Sequence, residues 1–313
     1  MNYCVRCGAK PFVRATPELL LCRSCFSERI EKRVAKTIKQ YNMLHYGCHV
    51  VVGLSGGKDS SVLLTILKKI SLSGTRITAV IIDEGIEGYR PDGVKEALKI
   101  AEGLGVESFV YSYRSLFGYT LDSMLEVPPF GKSSCGVCGT FRRKALNQAA
   151  ADLLADYVAT GHNLDDEAES ILLNLVRGDF DRFTRQTRTP LEQDRKSFVP
   201  KIKPLVLISQ PEIVYYALAN GIDYYDGTCP YADQARRNSI RNFLFDQEKR
   251  HPGTLLNLVR MQDKLSLSYR DEILPLLTAI NPCTVCGDPT DSTTALCAGC
   301  KFIQEIEHQK RDQ

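Results

Sequence analysis

Twelve cysteines in 313 residues carry the first chemical information in this chain. Eleven fall into spaced sets. Cys4-x2-Cys7 pairs with Cys22-x2-Cys25 at one end, and Cys283-x2-Cys286 with Cys297-x2-Cys300 at the other. Cys135-x2-Cys138 and Cys229 lie between them. Cys48 stands alone and reads as a small buried apolar side chain. The start Met1-Asn2-Tyr3-Cys4 lacks a charged segment followed by an apolar one. No apolar run approaches the roughly 18 residues of a membrane span. The expected location is therefore cytoplasmic, without membrane attachment, and there such cysteines read as metal ligands or catalytic thiols rather than disulfides.

Each terminal pair of CxxC motifs offers four thiolates, which close a tetrahedron around Zn²⁺ and leave no open position. These are expected to be two structural sites, their halves joined by 14 and 10 residues. Gly8 and Gly287, just past the second thiolate of each set, suit knuckle turns. An iron site of rubredoxin type has the same ligands. The central trio is one ligand short of a closed zinc site. It suits a [4Fe–4S] cluster with three irons ligated and one open to carry sulfide. The alternatives are a third zinc site and unrelated buried cysteines. Cys135 and Cys138 are expected at the start of a helix over 141–155, where the dipole and nearby cations lower thiol pKa values.

The second chemical feature is Ser55-Gly56-Gly57-Lys58-Asp59-Ser60. It follows the apolar run Val50-Val51-Val52-Gly53-Leu54 and precedes helical spacing through Val62, Leu63, Ile66, Leu67 and Ile70. Glycines let backbone approach an anion, and free N–H groups at a helix start bind phosphate. The Walker spacing is absent. Gly161-His162-Asn163-Leu164-Asp165-Asp166 similarly follows a strand and opens a helix. Asp165 and Asp166 are either ordinary first-turn acids or ligands for Mg²⁺ bridging nucleotide phosphates.

Positioning these groups requires an α/β scaffold. Strands are expected over 50–54, 77–83, 108–113, 157–160 and 222–225. Helices are expected over 62–70, 95–104, 141–155 and 165–177, and from the capping box at Ser209–Glu212 to Gly221. The alternation predicts a doubly wound parallel sheet flanked by two small Cys4 modules. The expected division is 1–27 for the first module, 28–230 for the catalytic domain, 231–278 for a helical extension and 279–313 for the second module. Ile82 and Asp83, at a strand's carboxyl end, are placed for an adenosine. Net charge is only +3, so polyanion binding would fall to local patches. These are Arg29, Lys32, Arg33, Lys36 and Lys39, the run from Arg177 to Lys203, and Arg236, Arg237 and Arg241. Solvated helix faces explain such patches equally well.

Ser-Gly-Gly-Lys-Asp-Ser after an apolar strand resembles the signature of PP-loop ATP pyrophosphatases, and Gly161 to Asp166 resembles their GHxxDD segment. With the three cysteine sets and Cys229-Pro230, nearly the whole chain is similar to the TtcA/TtuA family of PP-loop tRNA 2-thiolation enzymes. The paired terminal modules resemble its two-zinc-finger archaeal and eukaryotic cytoplasmic 2-thiouridine subgroup. The resemblance implies that Gly53, Leu54, Ser55, Gly56, Gly57, Lys58, Asp59 and Ser60 hold ATP, with Gly161, His162, Asp165 and Asp166 opposite and Arg142 nearby. It implies an oxygen-sensitive [4Fe–4S] cluster on Cys135, Cys138 and Cys229, or a persulfide and disulfide route through two of them. Asp59 and Asp166 complete the implied catalytic set. The implied reaction adenylates a uridine C2 oxygen, releases pyrophosphate and replaces AMP by sulfur. The implied partners are tRNA, a sulfur donor (a ubiquitin-like protein thiocarboxylate or sulfide) and a second copy in a homodimer. Asn174 to Asp179 looks like the members acting at wobble position 34. Position 54 of the T-loop, another PP-loop tRNA-modifying ligase and a non-catalytic zinc-ribbon RNA-binding protein are the alternatives.

Overall fold

A computed structural model describes residues 3–16, 18–70, 74–126, 133–186, 199–232, 238–268, 272, 279–291 and 293–311. The chain opens with a hairpin, β1 (Val13–Thr16) and β2 (Leu19–Leu21), then α1 (Arg23–Gln40). The central domain runs β3 (His49–Gly53), α2 (Lys58–Ile70), β4 (Arg76–Asp83), α3 (Arg90–Gly103), β5 (Glu107–Ser112), α4 (Tyr113–Phe117) and α5 (Leu121–Leu125). It continues with α6 (Ser134–Asp152), β6 (Tyr157–Ala159), α7 (Leu164–Val176), α8 (Phe180–Arg185), β7 (Lys201–Ile202) and α9 (Gln210–Asn220). Then come α10 (Asn238–Arg250), α11 (Thr254–Ser268), the short pair β8 (Asn281–Pro282) and β9 (Pro289–Thr290), and α12 (Ala298–Arg311).

Five strands pair in parallel in the order β5-β4-β3-β6-β7. From β3 the chain steps one way through β4 to β5, then returns to the other side of β3 as β6. The loops after β3 and β6 therefore diverge at a topological switch point, where sheets of this kind bind ligands. Alternation along β3 divides the core. Val50 and Val52 pack with α1, α2, α3 and α9 on one face. Val51 packs with α6 and with Phe302 and Ile306 of α12 on the other. The first cysteine module does not stand apart, since Cys4, Val13, Leu21 and Cys22 belong to the same buried cluster as α1 and the sheet.

Three expectations are corrected. The fifth strand is Lys201–Ile202, and 222–225 is not a strand. There the Tyr225 backbone N–H is spent on Gly56 O, at 2.8 Å, instead of on a ladder. Helix α6 starts at Ser134, so Cys135 and Cys138 occupy its first turns; Ser133 caps it through Gly136 N. Helix α3 starts at Arg90, with Pro91 in the first turn where its missing N–H costs nothing. Arg188, Arg195, Lys196, Arg236 and Arg237 lie outside the described residues. Among the described residues no helix is long and apolar enough to cross a membrane.

Candidate nucleotide and cysteine site

The turn from β3 into α2 is held shut by its own hydroxyls. Ser55 and Ser60 Oγ are 2.9 Å apart. Ser55 N donates to Ser60 Oγ at 3.1 Å, and the Ser60 and Ser61 hydroxyls donate to Gly57 O at 3.0 and 2.9 Å. Gly56 sits at φ +87°, and a Cβ there would meet Gly93 O at 2.3 Å. The loop and α3 approach too closely for any side chain. A Cβ on Gly161 would lie 2.9 Å from Asp59 C and Ser60 N, so the β6 loop packs backbone to backbone on the β3 loop.

Asn163 ties the two loops together. Its side chain caps α7 by accepting from Asp166 N at 3.1 Å, while Asp166 Oδ2 accepts from Asn163 N at 3.1 Å. Asn163 Nδ2 donates to Asp59 Oδ1 at 3.0 Å, and Lys58 Nζ lies 2.9 Å from Asp59 Oδ2. Burial, with Asp59 adding like charge, pushes the Asp166 carboxyl up to about 6. The folded chain thus favours protonated Asp166 more than the unfolded chain does. The stability this gives is complete below the ordinary carboxylate range and is lost as pH rises through about 6. In Mg²⁺-free buffer, Asp166→Asn should unfold at higher urea than wild type at pH 7.5, and the gap should shrink at pH 5.

These loops border a cavity of about 320 Å³, within the range of small-molecule sites. Of the residues expected from sequence, Gly53, Leu54, Ser55, Asp59, Ser60, Ile82, Arg142, Gly161, His162 and Asp166 line it. Gly56, Gly57, Lys58, Asp83 and Asp165 do not. Asp83 Oδ1 instead accepts from Gly85 N at 2.9 Å, closing a turn. Asp165 Oδ2 accepts from Gln210 N at 2.8 Å, and the residue faces a second cavity beside α10. Val80, Glu84, Arg90, Leu146 and Thr160 also line the first cavity. Glu84 and Arg90 carried only a weak signal, opposite charges six residues apart after a strand.

The cysteine helix reaches this cavity through Arg142, whose Nη2 donates to Cys138 Sγ at 3.2 Å. Cys138 is buried, with its carbonyl accepting from Tyr113 OH at 2.8 Å. Burial pushes its thiol up, against Arg142, which corrects the expectation of a lowered value. Cys229 packs in the same apolar cluster as Cys138 and Tyr231. Exposed Cys135 lies with Sγ 3.6 Å from Tyr231 O. Among the described residues, the sets of three or more potential ligands with their ligand atoms within 4.8 Å of one another are the two Cys4 groups, not this trio. Sulfurs on one zinc, each about 2.3 Å from it, must lie about 4 Å apart. Sulfurs on separate irons splay wider than on one zinc, and three thiols are the donor chemistry that an iron–sulfur cluster takes.

Both Cys4 sets gather as single-ion sites do. Gly8 and Gly287, at φ +74° and +75°, let Gly8 N and Gly287 N donate to Cys4 O and Cys283 O at 2.9 and 2.8 Å. The second module is clamped to the cysteine helix. Asp288 accepts from Lys144 Nζ at 2.6 Å and Asn147 Nδ2 at 3.1 Å, and Phe302 packs on Phe141 with centroids 5.9 Å apart. Asp288→Ala would remove the acceptor that Lys144 and Asn147 share and should lower unfolding free energy by about 1–3 kcal/mol in urea titrations.

Several basic residues prove to be structural. Arg33 pairs with Glu212 and donates to Leu207 O. Arg241 grips Glu169 at 2.6 and 3.2 Å, and Lys203 pairs with Glu167. Lys32, Lys36 and Lys39 remain exposed on α1.

A strand, a glycine turn and a helix at the switch point, faced by an acidic helix start, define the PP-loop class of nucleotide-binding proteins. The PP-loop domain family matches residues 26–248. Cytoplasmic tRNA 2-thiolation protein 1 of Aspergillus niger is 34% identical, over 98% of this chain and 89% of its own length. tRNA 2-thiolation protein NcsA of Haloferax volcanii is 33% identical over 97% of this chain and 99% of its own. Among solved structures, the U34-tRNA thiolase NcsA from Methanococcus maripaludis with its [4Fe–4S] cluster matches with TM-score 0.81 and 28% identity, covering 98% of this chain and 97% of that one. The chain belongs to the PP-loop family and, within it, to the tRNA 2-thiolation proteins.

Proposed function

We propose that this chain is an ATP-dependent tRNA 2-thiouridine synthetase that adenylates the C2 oxygen of uridine 34 and replaces it with sulfur. One observation carries the reading. Arg142 lines the nucleotide cavity and donates to Cys138 Sγ at 3.2 Å, so oxygen activation and sulfur chemistry lie within one side chain of each other. The names of the relatives supply the substrate class.

The loop from Ser55 to Ser60 receives the departing phosphates on its backbone N–H groups and hydroxyls. Asp59 and Asp166, joined through Asn163, are the carboxylates that would hold Mg²⁺ against them. Divalent charge there would offset the burial that raises Asp166. Ile82, Val80 and Leu146 give an apolar wall for the nucleoside. The C2 oxygen attacks the α phosphorus and pyrophosphate leaves. A sulfur nucleophile then adds at C2 and AMP leaves. Arg142 is placed to stabilise negative charge in both steps. Cys135, Cys138 and Cys229 would hold the [4Fe–4S] cluster, which supplies an iron with a free position for sulfide when bound. The two Cys4 modules would hold structural Zn²⁺. Lys32, Lys36 and Lys39 offer phosphate contacts to tRNA, and the uridine must leave its stack to enter the cavity. We further assign sulfide or a ubiquitin-like thiocarboxylate as donor, a homodimer as the working form and the cytoplasm as location.

The test is to incubate oxygen-free protein with unmodified tRNA, ATP, Mg²⁺ and sulfide, and to map the product by nuclease digestion and mass spectrometry. The expected product is 2-thiouridine at position 34, with AMP and pyrophosphate formed in equal amounts. Sulfur at position 54, or pyrophosphate without thiolated nucleoside, overturns the assignment.

A further inference from the structure

The nucleotide loop and the cysteine helix meet at a side chain that neither motif contains. Glu84 follows β4, is 4% exposed and borders the cavity. Arg90 Nε lies 2.6 Å from its Oε2, and Arg142 Nε 2.8 Å from its Oε1. The two guanidiniums then reach apart. Arg90 Nη1 donates to Ser55 O at 2.7 Å and Arg90 Nε to Ile82 O at 2.8 Å. Arg142 Nη2 donates to Cys138 Sγ at 3.2 Å. A guanidinium is a rigid planar fork, so fixing Nε on a carboxylate fixes where the other nitrogens point.

We propose that Glu84 is a positioning residue for sulfur transfer: one buried carboxylate aims Arg142 at Cys138, beside an Arg90 that backbone carbonyls hold on the phosphate loop. This rests on the thiolase reading. The carboxylate cannot be there to attract ATP, because its charge opposes that of the phosphates. Each of its oxygens lies against a different arginine, but the one Nε–H of Arg90 goes to Ile82 O and its Nη1 to Ser55 O, so backbone carbonyls aim Arg90 and the carboxylate pairs only with its charge. Replacing it by a neutral amide of the same shape removes a repulsion from the cavity and leaves Arg142 only an uncharged, weaker acceptor. ATP affinity and sulfur transfer should therefore respond separately, whereas general loosening of the pocket would weaken both.

The experiment compares wild type, Glu84→Gln, Glu84→Asp, Arg142→Ala and the Glu84→Gln/Arg142→Ala double variant, all prepared without oxygen. Thermal midpoint, ATP dissociation constant without tRNA, and single-turnover formation of 2-thiouridine are measured. Glu84→Gln should bind ATP as tightly as wild type or more tightly, and thiolate about 10- to 100-fold more slowly. Glu84→Asp should keep ATP affinity and fall between the two in rate. In the Arg142→Ala background, Glu84→Gln should add less than about twofold, because the two act as one unit. Thiolation by Glu84→Gln within twofold of wild type overturns the role, as does ATP affinity lost in proportion to rate, or full multiplication of the single effects. Should Glu84→Gln not fold, Glu84→Asp decides: wild-type rate, or rate and affinity lost together, is contrary. Wild type that binds ATP and yields no thiolated tRNA refutes the functional reading itself; active wild type with an indifferent Glu84→Gln refutes only this inference.

Discussion

A Cys138→Ser protein should bind ATP with near wild-type affinity and form 2-thiouridine at least about 10³-fold more slowly. The substitution changes one atom in a buried position of α6. Serine can still accept the Arg142 hydrogen bond, so the guanidinium stays beside the cavity. What is lost is the soft thiolate, which iron and zinc hold and an alkoxide does not replace. The cavity walls at Ser55, Asp59, Gly161 and Asp166 are untouched, so adenylation and sulfur delivery should separate. Pyrophosphate release on tRNA should persist while the thiolated nucleoside disappears. Thiolation within about tenfold of wild type would show that Cys138 takes no part in the chemistry.

The second large effect belongs to the phosphate loop. Gly56→Ala should weaken ATP binding by about 100-fold, the scale expected when a reacting group shifts by about 1 Å. Its Cβ would stand 2.3 Å from Gly93 O, a backbone atom that cannot swing aside, and its φ of +87° disfavours any L side chain. The loop or the start of α3 must move. Arg90, which joins the two by donating to Ser55 O, would move with them. Gly57→Ala is the internal comparison. Its nearest atom would be the Ser55 hydroxyl at 3.5 Å, without a positive φ, and the loss should stay below about tenfold. Calorimetric titration of ATP into both variants checks the pair; equal losses would contradict this reading of the loop.

The sheet was legible because parallel strands buried on both faces leave continuous apolar runs, as at Val50–Val52 and Ile77–Ile82. The gathering of each terminal Cys4 set was legible because four thiolates at fixed spacing have few other uses. Lys201–Ile202 was not, since two residues among lysines and arginines carry no period, and pairing with β6 alone makes them a strand. The run 222–225 misled for the opposite reason. Its Ile and Tyr side chains suit a strand, yet Tyr225 N is claimed by Gly56 O. The early start of α6 was masked by Gly136 and Gly139, weak helix formers that packing and the Ser133 cap override. Glu84 and Arg90 escaped because their role is written in side-chain reach across α3, β4 and α6. The placing of Asp165 was equally hidden: two adjacent acids at a helix start differ by about 100° in direction, and only Asp166 turns to the cavity.

The sharpest measurement is iron and acid-labile sulfide analysis, with absorption spectra, of protein purified and assayed without oxygen. The wild-type chain should carry about four irons with matching sulfide and thiolate tRNA. The Cys135→Ser, Cys138→Ser and Cys229→Ser proteins should each lose the cluster spectrum and the activity together while keeping their zinc. Iron-free wild-type protein that still makes 2-thiouridine would contradict a metallocentre built on these three sulfurs.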